Sequence, residues 1–284
     1  MEPSSERLIS DAAKANLYIR TLLKVDRPFL LARIGMTEAY VGMYWMKGWP
    51  RARGYPRIMF HRLTNNVGVY PATNHAANSF SATYTQAISA VDVIARWPKE
   101  VMGEQWLVNK LCPEAVQIPV ASLQAYRFMH AWWSSLAGKR VLVIHPFAES
   151  ITAQYEKREL IHPSNPMPEV ELQTLKAVQS IAGHQPHQSW MESLRVMTEQ
   201  VDELDFDVAL IGCGGYGLPL GEHIKLMGKQ AIHIGGGLQL LFGIKGRRWD
   251  RKARETNLYN EHWCRPRPNE RPQGLSKVEG GCYW

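Results

Sequence analysis

The stretch Asp207-Val-Ala-Leu-Ile211, followed by Gly212-Cys-Gly-Gly-Tyr-Gly217 and a segment opening at Pro219, reads as strand, glycine-rich turn and helix. A short uninterrupted apolar run is the mark of a strand buried on both faces. Pro is favoured at the first helical position. The same grammar recurs along the chain. Val141-Leu-Val-Ile144 ends at His145-Pro146-Phe147, with a helix predicted over Ser150–Arg158. Gln230-Ala-Ile-His-Ile234 meets Gly235-Gly236-Gly237, and Pro28-Phe-Leu-Leu-Ala-Arg-Ile-Gly35 is a strand ending in a glycine turn. Apolar periodicity predicts further helices over Ser5–Lys24, Thr37–Met46 (with Thr37 as its cap), Ser79–Ala90 and Ser189–Leu204, and a short strand over Val91–Ala95. Trp49–Arg62 reads as a basic loop and His162–Pro168 as a turn. Strands alternating with helices predict an α/β fold, a mostly parallel sheet with helices on both faces.

The 284 residues are 45% hydrophobic, which excludes general disorder and supplies enough apolar surface for one sizeable core. The longest charge-free run, Leu63–Val91, is too rich in Asn, Thr, Ser and His to span a bilayer. Met1–Arg7 lacks the pattern of a signal peptide, and Cys112, Cys213, Cys264 and Cys282 form no C-x-x-C pair. The expectation is a soluble, cytoplasmic protein with reduced thiols and no zinc site.

The net charge of +7 is concentrated near the carboxyl end, where Lys245–Arg271 carries nine Lys or Arg against four acids. The predicted organisation is an α/β domain over 1–246 and a basic C-terminal arm over 247–284. Such an arm can meet a phosphorylated substrate, make peripheral contact with an anionic membrane, or serve only solubility. Nucleic acid is not an expected partner, because no recognition motif accompanies the charge.

In an open parallel sheet, ligands bind beyond the carboxyl ends of the strands. That rule brings together Arg33, Gly35 and Glu38; His145 and Glu149; Gly212, Gly214, Gly215, Tyr216 and Gly217; and His233, Gly235 and Gly236. Arg33 ends an apolar strand, an expensive place for a guanidinium unless it meets an anion or pairs with Glu38. Glu38 can act as a base or as a ligand to a divalent ion. His145 and His233 can donate to a phosphate or serve in acid–base steps; the plainer reading of each is a packing histidine. Gly212–Gly217 fits the G-x-G-x-x-G fingerprint, but the next strand ends in His233-Ile234-Gly235 without the carboxylate an NAD site requires. No NAD is therefore expected; a phosphate-bearing ligand and a purely structural turn both remain open. Asp205-Phe-Asp207 has D-x-D form, but at the amino end of its strand it reads as a polar turn.

Arg33-Ile-Gly-Met-Thr-Glu38 resembles the Arg-(Phe/Tyr)-Gly-Asp-Gly-Glu signature of glycosyltransferases with the GT-D fold, and the order of elements is similar over Ala13–Gly246. The tail from Asn260-Glu-His-Trp263 through Val278–Trp284 looks like a subfamily extension. The resemblance implies a Rossmann-like domain that moves a sugar from a nucleotide donor, usually UDP-linked, to a glycan or glycoconjugate acceptor with Mn²⁺ or Mg²⁺. It makes Glu38 a metal ligand or catalytic residue. The family's Asp position is Met36 here, and a thioether cannot replace a hard oxygen ligand. Either Glu38 and others such as Glu149 hold the ion, or Arg33, His145, His233 and the basic arm neutralise the diphosphate, or catalysis has been lost. Trp45, Trp49, Trp132 and Trp133 are candidates for sugar stacking or for core packing.

The expectation is thus a sugar transferase of polysaccharide or glycoconjugate synthesis, with a homo-oligomer as one partner option. Its alternative is a non-catalytic nucleotide- or glycan-binding subunit assisting another transferase. A phosphoester hydrolase is a weaker third reading, because no clustered Asp/His metal set accompanies the histidines.

Overall fold

A computed structural model describes residues 7–99, 101–272, 274–275 and 280–284. Seven strands form one sheet: β1 (Phe29–Ala32), β2 (Val93–Arg96), β3 (Val116–Pro119), β4 (Arg140–His145), β5 (Glu171–Lys176), β6 (Val208–Ile211) and β7 (Gln230–His233). All pairs are parallel, in the order β3-β2-β1-β7-β6-β4-β5. This is the α/β, Rossmann-like architecture expected.

The period of two along each strand divides the core into two halves. Leu30, Ala32, Ile94, Leu142, Ile144, Ala209, Ile211 and Ala231 face one apolar cluster, which includes Ala39, Phe80, Leu107, Met197 and Ile224 from helices. Their neighbours Phe29, Leu31, Val93, Val141, Val143, Val208, Leu210 and Ile232 face the other, with Ile19, Trp132, Trp133 and Ile151. Strands buried on both faces are apolar along their covered length, and β1 and β6 are apolar throughout.

Several boundaries differ from the sequence reading. The first helix begins at Ala12, not Ser5, because the Asp11 side chain accepts from Lys14 N at 2.8 Å and caps it. Leu8 instead bridges to Gln117, and Ser5 and Glu6 lie outside the described residues. Gly35, not Thr37, occupies the N-cap of helix Met36–Met46. Helix Asn74–Ser89 starts five residues earlier than Ser79, capped by Thr73. The helix expected over Ser150–Arg158 is Ala148–Tyr155, followed by a separate turn Arg158–Ile161. Trp49–Arg62 is not a loop but two short helices, Trp49–Arg53 and Arg57–Arg62. Helix Glu104–Leu111 and the outer strands β3 and β5 were not anticipated.

The basic arm is not an extension standing off the domain. Trp249, Trp263 and Trp284 are buried in the second apolar cluster, and Ile244 bridges to Cys264. Val278 and Glu279 lie outside the described residues. No helix among the described residues is long and apolar enough to cross a membrane.

Candidate functional site

The chain leaves β4 for β5 on one side and β6 for β7 on the other. A crevice opens where neighbouring strands send their connections apart. Here the crevice is a cleft of about 160 Å³ lined from six strand ends. Arg33, Gly35 and Glu38 follow β1, Trp97 follows β2, and His145 ends β4. Gln179 and Ser180 follow β5, Gly212 and Gly214 follow β6, and Gly236 and Gln239 follow β7.

Arg33 is fixed from two sides: Nε donates to Ile234 O at 3.2 Å, and the guanidinium stands 5.3 Å from the centre of the Trp97 ring. The ring face favours the cation. Gly235 has φ +72 and lies against the same guanidinium, so neither its backbone nor the space beside it admits a side chain. Glu38, in the first turn of helix Met36–Met46, folds back over Gly35, whose missing Cβ leaves room for the carboxylate. A carboxylate there is favoured by the helix dipole. Met36, the first of the two residues between them, is 62% exposed at the cleft.

Each glycine of the Gly212–Gly217 loop has an internal reason to be glycine. A Cβ on Gly212 would meet His145 Cδ2 at 2.7 Å and Gly235 O at 2.9 Å; one on Gly215 would meet Val67 Cγ1 at 2.5 Å. Gly217 lies under the His233 ring, and Gly214 has φ +60. Only at Gly214, among these four, is the space over the residue open, and it lines the cleft. The loop turns through Gly214–Tyr216 into helix Gly217–Leu226, so amide donors at a helix start are turned towards the crevice. Tyr216 also lines the cleft, its hydroxyl 2.6 Å from Ser180 Oγ.

The two strand-end histidines differ. His145 lines the cleft at 3% exposure, and its Nδ1 accepts from Phe147 N at 3.0 Å. Burial pushes its pKa down to about 3, so the ring is neutral at pH 7 with its hydrogen on Nε2. It can donate a hydrogen bond and is not a base titrating near neutrality. His233 is packed beneath the cleft and does not line it; burial, then the Arg33 charge, lowers its pKa to about 3. Its ring nitrogens make no well-formed hydrogen bond among the described residues. The sequence offered it a catalytic or a packing role; in the structure it stands outside the cleft lining, against Gly217. Cys213 lines the cleft as well, but burial pushes its thiol up, away from the reactive thiolate.

One wall comes from the carboxyl-terminal segment, which the sequence offered as a source of positive charge without naming residues that line the site. Arg248 Nη1 donates to Tyr283 Oη at 3.1 Å, and Arg248 N to Cys282 O at 2.9 Å. Trp284 stands edge-on to Phe147 at 6.0 Å. Arg248, Tyr283 and Trp284 all face the cleft. The signal available was a density of aromatic residues unusual for a solvated tail.

Other candidates are elsewhere. Glu149 is held at the surface by Asn269 at 2.9 Å, Lys176 at 3.2 Å and Arg267 at 3.6 Å, and does not line the cleft. The Asn269 hydrogen bond, then Lys176, lower its pKa. Asp205 and Asp207 both pair with Arg140, Asp207 at 2.6 Å, at the amino edge of the sheet. Trp132 and Trp133 are wholly buried, and Trp45 and Trp49 are outside the cleft; the indoles that line it are Trp97 and Trp284. Among the described residues no three His, Cys, Asp or Glu side chains come together. Hard divalent ions want several oxygen ligands. The cleft offers one carboxylate flanked by two guanidinium groups, a donor set that does not fit a resident Mg²⁺ or Mn²⁺.

The chain is an α/β, Rossmann-like protein with a cleft at the carboxyl edge of its sheet, lined by Arg33, Arg248 and part of a glycine-rich loop. No family model, curated protein or solved structure matches this chain.

Proposed function

We propose that the cleft holds a nucleotide-sugar by its diphosphate and transfers the sugar to a hydroxyl of a glycan acceptor. The observation that carries this reading is the meeting of Arg33, Glu38 and the open Gly214 backbone, from the ends of β1 and β6, in one cleft. Arg33 and Arg248 supply fixed positive charge for a diphosphate, and His145 supplies a neutral donor. Such preorganised charge matters most where the leaving group gains negative charge.

In the transfer, an acceptor hydroxyl oxygen bonds to the anomeric carbon and its proton passes to the Glu38 carboxylate. The bond from that carbon to the diphosphate oxygen breaks, and its electron pair leaves with the nucleotide. Trp97 and Tyr283 offer ring faces for a sugar or base. UDP is the donor nucleotide that the family resemblance implies, and a nucleotide-sugar donor goes with a cytoplasmic site of action.

Met36 at the cleft, where the similar family has Asp, favours a second reading: a subunit that binds the nucleotide-sugar without turning it over. Calorimetric titration with UDP, paired with release of UDP from UDP-sugars in the presence of glycan acceptors, tests both. Transfer in the wild type that is lost in Glu38→Gln, with UDP binding unchanged, supports transfer. Binding without release supports the subunit, and no UDP binding removes both.

A further inference from the structure

From Ala39 to Val91 the chain contains no Asp or Glu. Within this stretch Lys47, Arg51, Arg53, Arg57 and Arg62 are exposed, and none forms an ion pair among the described residues. After Gly246 several cations are held, Arg265 by Asp250 at 2.7 Å, Arg267 by Glu149 at 3.6 Å and Arg248 on Tyr283, while Arg251, Lys252 and Arg254 are exposed and stand without large apolar neighbours in water. Among the unpaired cations stand apolar side chains in water, Ile58 at 60% and Trp49 at 38% exposure, with Met46 beside them. Trp49 is held by Tyr44, edge-on at 5.2 Å between ring centres, and Lys47 Nζ lies 4.9 Å from the centre of the Trp49 ring.

From these features we propose that helices Trp49–Arg53 and Arg57–Arg62 form a surface that docks on an anionic lipid bilayer. Charge alone would suit any polyanion. Exposed Trp and Ile between the cations favour a bilayer, where the indole sits among headgroups, the aliphatic side chain enters the acyl boundary and Arg pairs with phosphate. Tyr55, between the helices, reaches Ala77 O at 3.3 Å and Ser81 Oγ at 3.1 Å near the start of helix Asn74–Ser89. That helix ends where the chain enters the amino end of β2, so its start stands beyond the carboxyl edge of the sheet. The docking surface is therefore on the side where the cleft opens. It does not depend on the sugar-transfer reading.

Co-sedimentation of the full chain with vesicles tests it. At about 0.1 M salt the protein is expected to pellet with phosphatidylglycerol/phosphatidylcholine vesicles and not with phosphatidylcholine alone. Each basic side chain contributes roughly a fivefold gain in partitioning to an anionic surface, so Arg51→Gln/Arg53→Gln/Arg57→Gln should weaken it about a hundredfold. Trp49→Ala/Ile58→Ser should weaken it too while keeping its salt dependence. Arg251→Glu/Arg254→Glu, on the carboxyl-terminal segment, should leave it unchanged. Circular dichroism establishes that each variant is folded, and the Arg positions are exposed enough to be replaced without repacking. Failure of the wild type to pellet, equal pelleting by the triple variant, or insensitivity to loss of Trp49 and Ile58 overturns the proposal; the last would mark the patch as a site for a soluble polyanion.

Discussion

The ring of Tyr283 fills the space that a side chain on Gly236 would need. A strand-end glycine after β7 thus seats the wall that the carboxyl-terminal segment adds to the cleft. Gly236→Ala is expected to push that wall away. Overpacking of this kind costs about 1–3 kcal/mol. The measured outcome should be a Tm lowered by several degrees together with weaker nucleotide binding. A variant that keeps its Tm but binds normally would show that Tyr283 moves aside freely.

Arg33 is expected to read the diphosphate and not the nucleoside. Its replacement by Met removes a charge-assisted hydrogen-bond donor, an effect of about 1.5–3 kcal/mol, or roughly ten- to hundredfold in affinity. Titrations with UDP should show that loss, and titrations with uridine should not. Equal losses for both ligands would place Arg33 in a structural role.

Burial holds three histidines neutral: His145 and His233 down to about 3, and His162 down to about 4. In the unfolded chain each takes up a proton near pH 6.5. Below that value the unfolded state binds protons that the folded state does not, so stability is present above about pH 6.5 and is lost as pH falls towards 4. Each ring contributes a slope of about 1.4 kcal/mol per pH unit. Urea unfolding between pH 7 and 4.5 checks this. His162→Phe, which can keep the stack on Tyr126 at 5.0 Å, should flatten the slope by one ring's share. The same argument predicts an activity profile without a limb near pH 6.5 from His145.

Met36→Asp would place a second carboxylate at the cleft, two residues before Glu38, as in the signature that the Arg33–Glu38 stretch resembles. The side chain is exposed, so the fold should be unaffected. A thermal shift produced by Mn²⁺ with UDP in the variant, and absent in the wild type, is the expected result. No gain in metal response would mean that the two carboxylates do not converge.

The central strands were legible because they are buried on both faces: Phe29–Ala32, Val141–Ile144, Val208–Ile211 and Gln230–His233 are runs that little else produces. With the strand ends fixed, the meeting of Arg33, Glu38, His145 and Gly214 followed from the sheet rule alone. Edge strand β5 was not legible, since Glu171–Lys176 is only partly covered and its residues carry no buried-strand pattern. His233 does not join the cleft lining, because a strand end places a residue near the rim without saying which face it takes. Its ring points to Gly217, and that depends on the one-residue register of β7. The Arg248–Tyr283 wall was beyond reach for a different reason: it has no periodicity, and it joins β7 and β4 through contacts that only the closed fold creates.

The seam between β1 and β7 sets a condition on how this chain is made. Leu30 and Leu31 wait for Ala231 and Ile232, about two hundred residues further along. At translation rates of about 5–20 residues per second, that is roughly 10–40 seconds during which one side of β1 has no strand beside it. An open, apolar parallel edge invites the wrong neighbour. Slow synthesis or crowded ribosomes should therefore lower the yield of this protein more than its final stability would suggest, and a chaperone that shields nascent strands should restore it.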